Sequence, residues 1–246
     1  MPGAPGQEHD AGMLSHIARR VLPVLGHLDV TADETDGPQP GSIVVANHSS
    51  LIDPGVVLAA LARRRVDRPI VLAAAGLWRI PLLRSRLRAE GHVPVYRGSA
   101  RAAEALDLAA EALARGQIVV IYPEGRIPPR RDSGDRSPED FRTGVARLAL
   151  ATGAPVVPLG QVGARRITSG SRAKQLAGLF TAPLRRPRLH VHLGTPIRLT
   201  GSTAEATAQA HTALTAAWHT AAAFVRGEER RGEEQRGEEQ GGEEQG

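Results

Sequence analysis

The sequence contains no cysteine among its 246 residues, and only 3% of its residues are aromatic. The absence of cysteine excludes disulfides, thiolate metal sites and a cysteine nucleophile. Because aromatics are so few, a buried core must consist mainly of Ala, Leu and Val. The longest uncharged apolar stretch, residues 69–78, is much shorter than the ~20 residues that span a bilayer. The sequence therefore predicts a protein without a transmembrane helix.

Both ends of the chain have little to bury. Residues 1–12 are rich in Gly and Pro, lack the compact apolar segment of a secretory signal, and are predicted to be disordered. Residues 226–246 repeat a Gly-Glu-Glu unit four times, which predicts a low-complexity, solvated and mobile tail without a catalytic role. The intervening residues 13–225 are numerous enough for one domain.

Charge is distributed unevenly along the chain. The tail holds four Arg and eight Glu, a net charge of −4, whereas the whole chain carries +5, so residues 1–225 carry +9. A body this basic suits anionic partners, whether phospholipid headgroups, phosphorylated substrates or nucleic acid. An arginine-rich composition gives the same balance without any such partner, so charge alone does not choose among them.

Residues 13–28 predict an amphipathic helix, kinked at Pro23. His16, Arg19 and Arg20 lie on other parts of the helical wheel. Such a helix either packs on the domain or lies in a membrane interface, and the sequence favours neither reading over the other. The apolar residues at helical spacing are Leu14, Ile17, Val21, Val24, Leu25 and Leu28.

Predicted strands and helices alternate through most of the chain. This pattern favours the α/β class: a single domain with a mixed, mostly parallel sheet flanked by helices. A long loop rich in Pro, Arg, Asp and Ser, residues 127–139, interrupts the alternation. Strands are predicted around residues 28–31, 43–46, 69–75, 91–97, 117–122, 154–159 and 188–193, and helices over 54–64, 77–87, 100–115, 140–152, 174–180 and 202–225.

A polar turn follows the strand at residues 43–46 and contains His48 and, five residues further on, Asp53. Asp53 and Pro54 match a helix N-cap followed by proline at the first helical position. Histidine titrates near neutral pH and can act as a general base on a substrate hydroxyl, while a carboxylate orients its ring. The alternative is structural, with Asp53 capping its helix and His48 satisfying the turn.

Two more strand ends carry polar groups. Arg97 ends the strand at residues 91–97, and Glu124, Gly125 and Arg126 follow the strand at residues 117–122. Open α/β sheets bind their ligands at the carboxyl ends of strands, so these groups and His48 are candidates for one site. Each taken alone has an ordinary explanation, as a surface arginine or a turn.

Together and in this order, these segments resemble the sequence blocks of the glycerolipid acyltransferases, the family of the 1-acylglycerol-3-phosphate acyltransferases. The likeness covers about residues 40–200. Tyr96 stands where an acidic residue is common, and Gly125 is followed by Arg126 rather than by Thr and then Arg. The matching blocks are Asn47-His48 through Asp53-Pro54, Gly91 through Arg97, Tyr122-Pro123-Glu124-Gly125 and Val156-Val157-Pro158-Leu159, with supporting runs at Gly144-Val145-Ala146 and Leu193 through Ile197.

The resemblance implies roles for the site residues. His48 would be the base and Asp53 its orienter, while Asn47 would belong to the substrate-binding set. Arg97 and Arg126 would hold the acceptor's phosphate, since guanidinium groups suit paired oxygens. Glu124 would bind the glycerol portion of the acceptor, and Gly125 would leave room for its backbone. The acyl group would pass directly to the hydroxyl, with neither a metal nor a cofactor.

The leading hypothesis is transfer of a fatty acyl group from acyl-CoA or acyl-carrier protein to a lysophospholipid, most simply 1-acylglycerol-3-phosphate. The protein would act peripherally at the cytoplasmic face of the membrane. The altered residues after Gly125 keep open an acceptor of another kind, a glycolipid or an amine-bearing lipid. The alternative from a different class is a non-catalytic module that binds anionic lipid or nucleic acid. This module is disfavoured and no nucleic-acid partner is expected, because His48, Asp53 and Glu124 together have no purpose in it and a carboxylate repels anions.

Overall fold

The computed structural model describes residues 12–66, 68–98, 101–128 and 132–243, with side chains to residue 231. The predicted disorder of the first residues therefore falls outside the described part, except for Gly12. The strands are β1 (His27–Ala32), β2 (Ile43–Ala46), β3 (Ile70–Ala74), β4 (Val93–Val95), β5 (Val119–Ile121), β6 (Val156–Val162) and β7 (Arg188–Leu193). The α-helices are α1 (Met13–Leu25), α2 (Asp53–Arg63), α3 (Pro81–Ala89), α4 (Ala102–Ala114), α5 (Gly144–Thr152), α6 (Arg172–Arg185) and α7 (Thr203–Glu243).

The strands in the described part of the chain form one sheet in the order β1-β7-β6-β2-β5-β3-β4. Each neighbouring pair is parallel except β6 and β7, which run antiparallel. This confirms the predicted α/β fold with a mixed, mostly parallel sheet. Strand β2 lies at the centre, between β6 and β5, and all four of its residues are fully buried.

Helices cover both faces of the sheet. Because side chains alternate along a strand, Val44 and Ala46 point into one core and Ile43 and Val45 into the other. The first core includes residues of α1, α2 and α6, and the second includes residues of α4, α5 and α7. With both faces covered, the polar residues beyond the strand ends are the natural place for a site.

Helix α7 packs closely on β6. A side chain at Gly160 would meet the backbone of Ala217 and Trp218, with a Cβ only 2.3 Å from the Trp218 nitrogen. Glycine therefore permits the close approach of the helix to the strand.

The same helix continues to Glu243, through the segment for which the sequence predicts a mobile tail. Arg188 Nη1 lies 3.1 Å from Glu228, and Arg166 forms a second ion pair with Glu229. The two ion pairs fix the start of this extension of α7. Glu, Arg and Gln have high helix propensity, and with the ion pairs in place this outweighs the low helix propensity of the glycines.

Helix α1 packs on the domain, one of the two roles that its sequence leaves open, and also exposes apolar side chains. Leu22 is buried, and Leu14, Ala18 and Leu25 pack against the core beside α2. A second set, Met13, Ile17, Val21 and Val24, is 43–58% exposed. The predicted single apolar stripe is thus divided between the core and the surface. Within the described residues, no helix combines the length and the apolar character needed to cross a bilayer.

Candidate active site

The candidate site lies where β2 and β5, two parallel neighbours at the centre of the sheet, come to an end. His48 follows β2 and Glu124 follows β5, so the topology places their turns side by side. The backbone N–H of His48 donates to Glu124 Oε1 over 2.7 Å. Two segments that are 76 residues apart in sequence are thereby joined at the residue predicted to be the base.

The imidazole of His48 is held by the carboxylate of Asp53. His48 Nδ1 lies 3.0 Å from Asp53 Oδ2; the Asp53 side chain is completely buried, and the His48 side chain is 13% exposed. Nδ1 donates to the carboxylate, so Nε2 is the atom that can accept a proton. Among the described residues, Nε2 has no hydrogen-bond partner.

Asp53 has a different local position from the one predicted. Helix α2 begins at Asp53 itself, after Ile52, and the carboxylate does not cap this helix. Instead it accepts from the backbone N–H groups of Ser49 at 2.5 Å and Ser50 at 2.7 Å. These hydrogen bonds hold the backbone of residues 49 and 50 against the carboxylate and so fix Asp53 next to the imidazole of His48.

Tyr122 packs against His48 from the adjacent strand end. The two ring centroids are 4.6 Å apart and the rings are inclined at 33°. Burial, followed by the negative charge of Asp53, raises the pKa of Tyr122 well above its ordinary value, so its hydroxyl stays protonated. The ring therefore presents an apolar, uncharged surface that restricts the imidazole on one side.

Glu124 braces two backbone segments. Its Oε1 accepts from His48, as described, and its Oε2 accepts from the N–H of Glu139 over 3.0 Å. The side chain is 6% exposed. Burial raises the pKa of Glu124, and the two backbone hydrogen bonds oppose this increase. Glu124 thus ties the turn of His48 to the long loop before α5.

Asn47 is part of the framework. Its Nδ2 donates to the Gln161 carbonyl at 3.0 Å, and its Oδ1 accepts from the Gln161 N–H at 2.8 Å. Gln161 Nε2 in turn donates to the Asn47 carbonyl at 2.7 Å, and both residues are almost fully buried. Both polar atoms of the Asn47 side chain are bonded inside the protein, so the structure shows a framework role for it, and its predicted substrate-binding role stays a prediction. Asn47 joins the end of β2 to β6.

Arg165 also supports the turn between His48 and Asp53, and the sequence analysis did not identify it. Its guanidinium is 2% exposed and donates to the Ser49 carbonyl at 3.0 Å and to the Gly134 carbonyl at 3.1 Å. It therefore fastens the long loop to the segment between His48 and Asp53. Its position just after β6, the strand beside β2, is the sequence feature that points to it.

Arg142 is a second residue that sequence reasoning missed. Gly125 has φ +72°, and a Cβ at this position would lie 2.8 Å from Arg142 Cδ and Nε. The backbone N–H of Arg142 donates to the Pro123 carbonyl over 2.9 Å, so the chain ahead of α5 is held beside the turn. Helix α5 consequently begins at Gly144 and not near residue 140. The space that glycine leaves open is occupied by an arginine.

Arg97 follows β4 and lies near Arg142. Partial shielding from water, and then the positive charge of Arg142, lower the pKa of the Arg97 guanidinium. No carboxylate pairs with either arginine among the described residues. By contrast, Arg126 is 65% exposed, with Nη2 3.9 Å from Glu139 Oε2. Of the two predicted arginines, Arg97 lies close to another cation and Arg126 lies close to a carboxylate.

A cavity of about 220 Å³ lies between α1 and α2 and is lined in part by Arg19, Leu22 and Arg63. Arg63 and Asp53 are at opposite ends of α2, which puts the cavity about 15 Å along the helix from the His48 site. The cavity is therefore part of the packing between α1 and α2 and is separate from the His48 site.

The fold thus places a histidine, held by a buried carboxylate, where the central strands of an α/β sheet end. The acyltransferase family profile matches residues 27–162, which is more than half of the chain. The chain therefore belongs to the acyltransferase family.

Two curated relatives agree with this assignment. The chain is 30% identical over 131 residues to a 1-acyl-sn-glycerol-3-phosphate acyltransferase of Borreliella burgdorferi, covering 53% of this chain and 49% of that protein. It is 26% identical over 148 residues to a probable 1-acyl-sn-glycerol-3-phosphate acyltransferase of Mycoplasma genitalium, covering 59% and 53% respectively. The chain thus matches about half the length of these curated relatives.

The fold is similar to that of the 1-acyl-sn-glycerophosphate acyltransferase PlsC from Thermotoga maritima. The TM-score is 0.62 at 19% sequence identity, and the superposition covers 86% of this chain and 78% of that structure.

Proposed function

We propose that this acyltransferase moves a fatty acyl group from a thioester, acyl-CoA or acyl-carrier protein, to the free hydroxyl of 1-acylglycerol-3-phosphate, and that it works at the cytoplasmic surface of a membrane. The observation that carries the proposal is the His48–Asp53 pair, whose Nε2 is available for a hydroxyl proton. The names of the curated relatives support the choice of acceptor.

The reaction needs one base and a single displacement. His48 Nε2 removes the proton of the acceptor hydroxyl as its oxygen attacks the thioester carbonyl carbon, and Asp53 stabilises the imidazolium that forms. The new C–O bond replaces the C–S bond, and the leaving thiolate takes the proton back from the imidazolium. Each step uses groups of this chain and the two substrates.

Arg97 and Arg142 are the proposed site for the acceptor's phosphate. Two nearby guanidinium groups without a carboxylate partner repel each other, and a dianion placed between them relieves that repulsion. Arg126 remains part of the proposal as an exposed cation at the edge of the site, because a bound phosphate would compete with Glu139 for its guanidinium group. Glu124 and Gly125 would then contact the glycerol portion, because their turn lies between His48 and Arg142.

The reaction is tested with His48→Ala, and with His27→Ala as a control because His27 is exposed at the start of β1. Turnover of labelled acyl-CoA with 1-acylglycerol-3-phosphate should fall by about 10²–10⁴-fold in His48→Ala and stay unchanged in the control. A near-normal rate in a folded His48→Ala protein would rule out the mechanism.

The acceptor is tested with Arg142→Gln, matched by Arg147→Gln, an exposed arginine five residues further along the chain. Loss of a charge-assisted contact should raise KM for 1-acylglycerol-3-phosphate about tenfold or more and leave a phosphate-free monoacylglycerol unaffected. An enzyme that acylates a glycolipid or an amine-bearing lipid faster than the phosphate-bearing acceptor would support the alternative acceptor class.

A further inference from the structure

Helix α6 exposes large apolar side chains along one stripe. Leu176, Phe180 and Leu184 are four residues apart, so they lie on one face of the helix. They are 59%, 81% and 90% exposed, respectively. A side chain as exposed as that of Leu184 contributes almost nothing to the core. Three exposed apolar side chains on one helix face form an apolar surface patch whose hydration is unfavourable.

The residues around this stripe are cationic. Arg172 and Lys174 lie in the first turn of α6, and Arg185 and Arg186 lie at its end. Residues 171–186 contain no acidic residue. The helix therefore combines an apolar stripe with basic ends, the arrangement that suits the interface of an anionic bilayer.

Helix α1 packs beside α6 and presents a second exposed apolar set. This set consists of Met13, Ile17, Val21 and Val24, and α1 also carries Arg19 and Arg20 without any acidic residue. Both helices lie on the same side of the sheet as α2.

The surface is connected to the catalytic turn. Ser50, two residues after His48, donates to the Thr168 carbonyl at 3.0 Å, and α6 begins four residues after Thr168. Leu51, in the same turn, is 63% exposed. The segment that leads into α6 is thus hydrogen-bonded to the turn that follows His48.

We infer that α6 and α1 together form a docking surface for an anionic lipid bilayer, with Leu176, Phe180 and Leu184 entering the interface. Charge decides against a second copy of this chain as the occupant. Two copies meeting through this face would bring cation against cation, whereas an anionic bilayer accepts both the apolar stripe and the arginines. The inference deepens the proposed action at a membrane, but it does not depend on the identity of the acceptor.

The test is co-sedimentation of the full chain with vesicles of phosphatidylcholine and phosphatidylglycerol. The variant is Phe180→Ser with Leu184→Ser, which should leave folding unchanged because both side chains are so exposed. The matched control is Leu108→Ser, a 45% exposed leucine on α4 across the sheet. We expect the double variant to lose at least tenfold in vesicle partitioning and the control to bind like the parent. Added salt should weaken parental binding.

Measurements of enzyme activity distinguish a failure of the docking surface from a failure of the proposed reaction. The double variant should keep its turnover of a short-chain, monomeric acceptor and lose turnover of the same headgroup embedded in vesicles. Equal vesicle binding by parent and double variant would overturn the docking surface, whether or not the enzyme is active. Concentration-dependent dimers that Phe180→Ser with Leu184→Ser abolishes would overturn it too, because the stripe would then be a contact between copies.

Discussion

The backbone N–H of His48 donates to Glu124 Oε1 over 2.7 Å, so the residue proposed as the base is positioned by a carboxylate that follows β5. The other oxygen of Glu124 holds the N–H of Glu139. The Glu124 carboxylate therefore holds two backbone segments of the site together, in addition to any contact with substrate.

Replacing Glu124 with Gln should disturb the base. Glutamine has one oxygen for two backbone donors, so one N–H of His48 or Glu139 must lose its acceptor. We expect a loss of about 1–3 kcal/mol in the free energy of unfolding and a fall in kcat of about 10–100-fold. Urea unfolding and steady-state kinetics measure the two effects. Glu111→Gln, at an exposed glutamate of α4, is the control and should be close to the parent in both.

Replacing Asn47 with Ala should affect stability more than substrate binding. The change removes two buried hydrogen bonds to Gln161, which we expect to lower the free energy of unfolding by about 2–6 kcal/mol. At a temperature where the variant is folded, KM for the acceptor should be almost unchanged. A large rise in KM with normal stability would show that Asn47 contacts substrate after all.

Replacing Gly125 with Ala should displace Arg142. The methyl group would lie 2.8 Å from Arg142 Cδ, in addition to the backbone strain of a left-handed alanine. Gly153→Ala is the matched control, since its φ is +67° and a Cβ there meets nothing within 4 Å. Both variants should lose about 1 kcal/mol to strain, but only Gly125→Ala should raise KM for a phosphate-bearing acceptor. Equal KM values in the two variants would separate Arg142 from phosphate binding.

Stability should fall in mild acid. Burial lowers the pKa of both His92 and His190 from 6.5 to about 4. Between these values the unfolded chain binds more protons than the folded one, so the free energy of unfolding is full above pH 6.5 and decreases as pH falls to about 4.

Each histidine contributes up to about 3 kcal/mol to this loss. Thermal unfolding followed from pH 7.5 to 4.5 checks the slope. His190→Gln should flatten it, while the exposed His16→Gln should leave it unchanged. A slope that is as steep in His190→Gln and in His92→Gln as in the parent would assign the acid sensitivity to other groups.

Much of the fold could be read from local patterns. Apolar β-branched runs such as residues 43–46 predict buried strands, and β2 is fully buried at the centre of the sheet. The alternation of such runs with helices predicts the mostly parallel sheet. The extension of α7 through residues 226–243 could not be predicted, because the ion pairs of Glu228 and Glu229 with arginines far away in sequence anchor it.

The site divides in the same way. Spacing within one turn is enough to pair His48 with Asp53, and the structure brings them to 3.0 Å. The roles of Asn47 and Arg142 depend on partners that come from other strands and loops, so a motif centred on His48 does not reveal them.

The amino-acid order alone is enough to name the side chains with useful chemistry, since residue type and the spacing within a single turn are local properties. Which distant segments hold those side chains in place depends on the folded chain. Hydrogen-bond partners of buried polar groups are chosen by the packing of distant segments, and here that packing gives Asn47 to Gln161 and leaves Arg97 and Arg142 near one another.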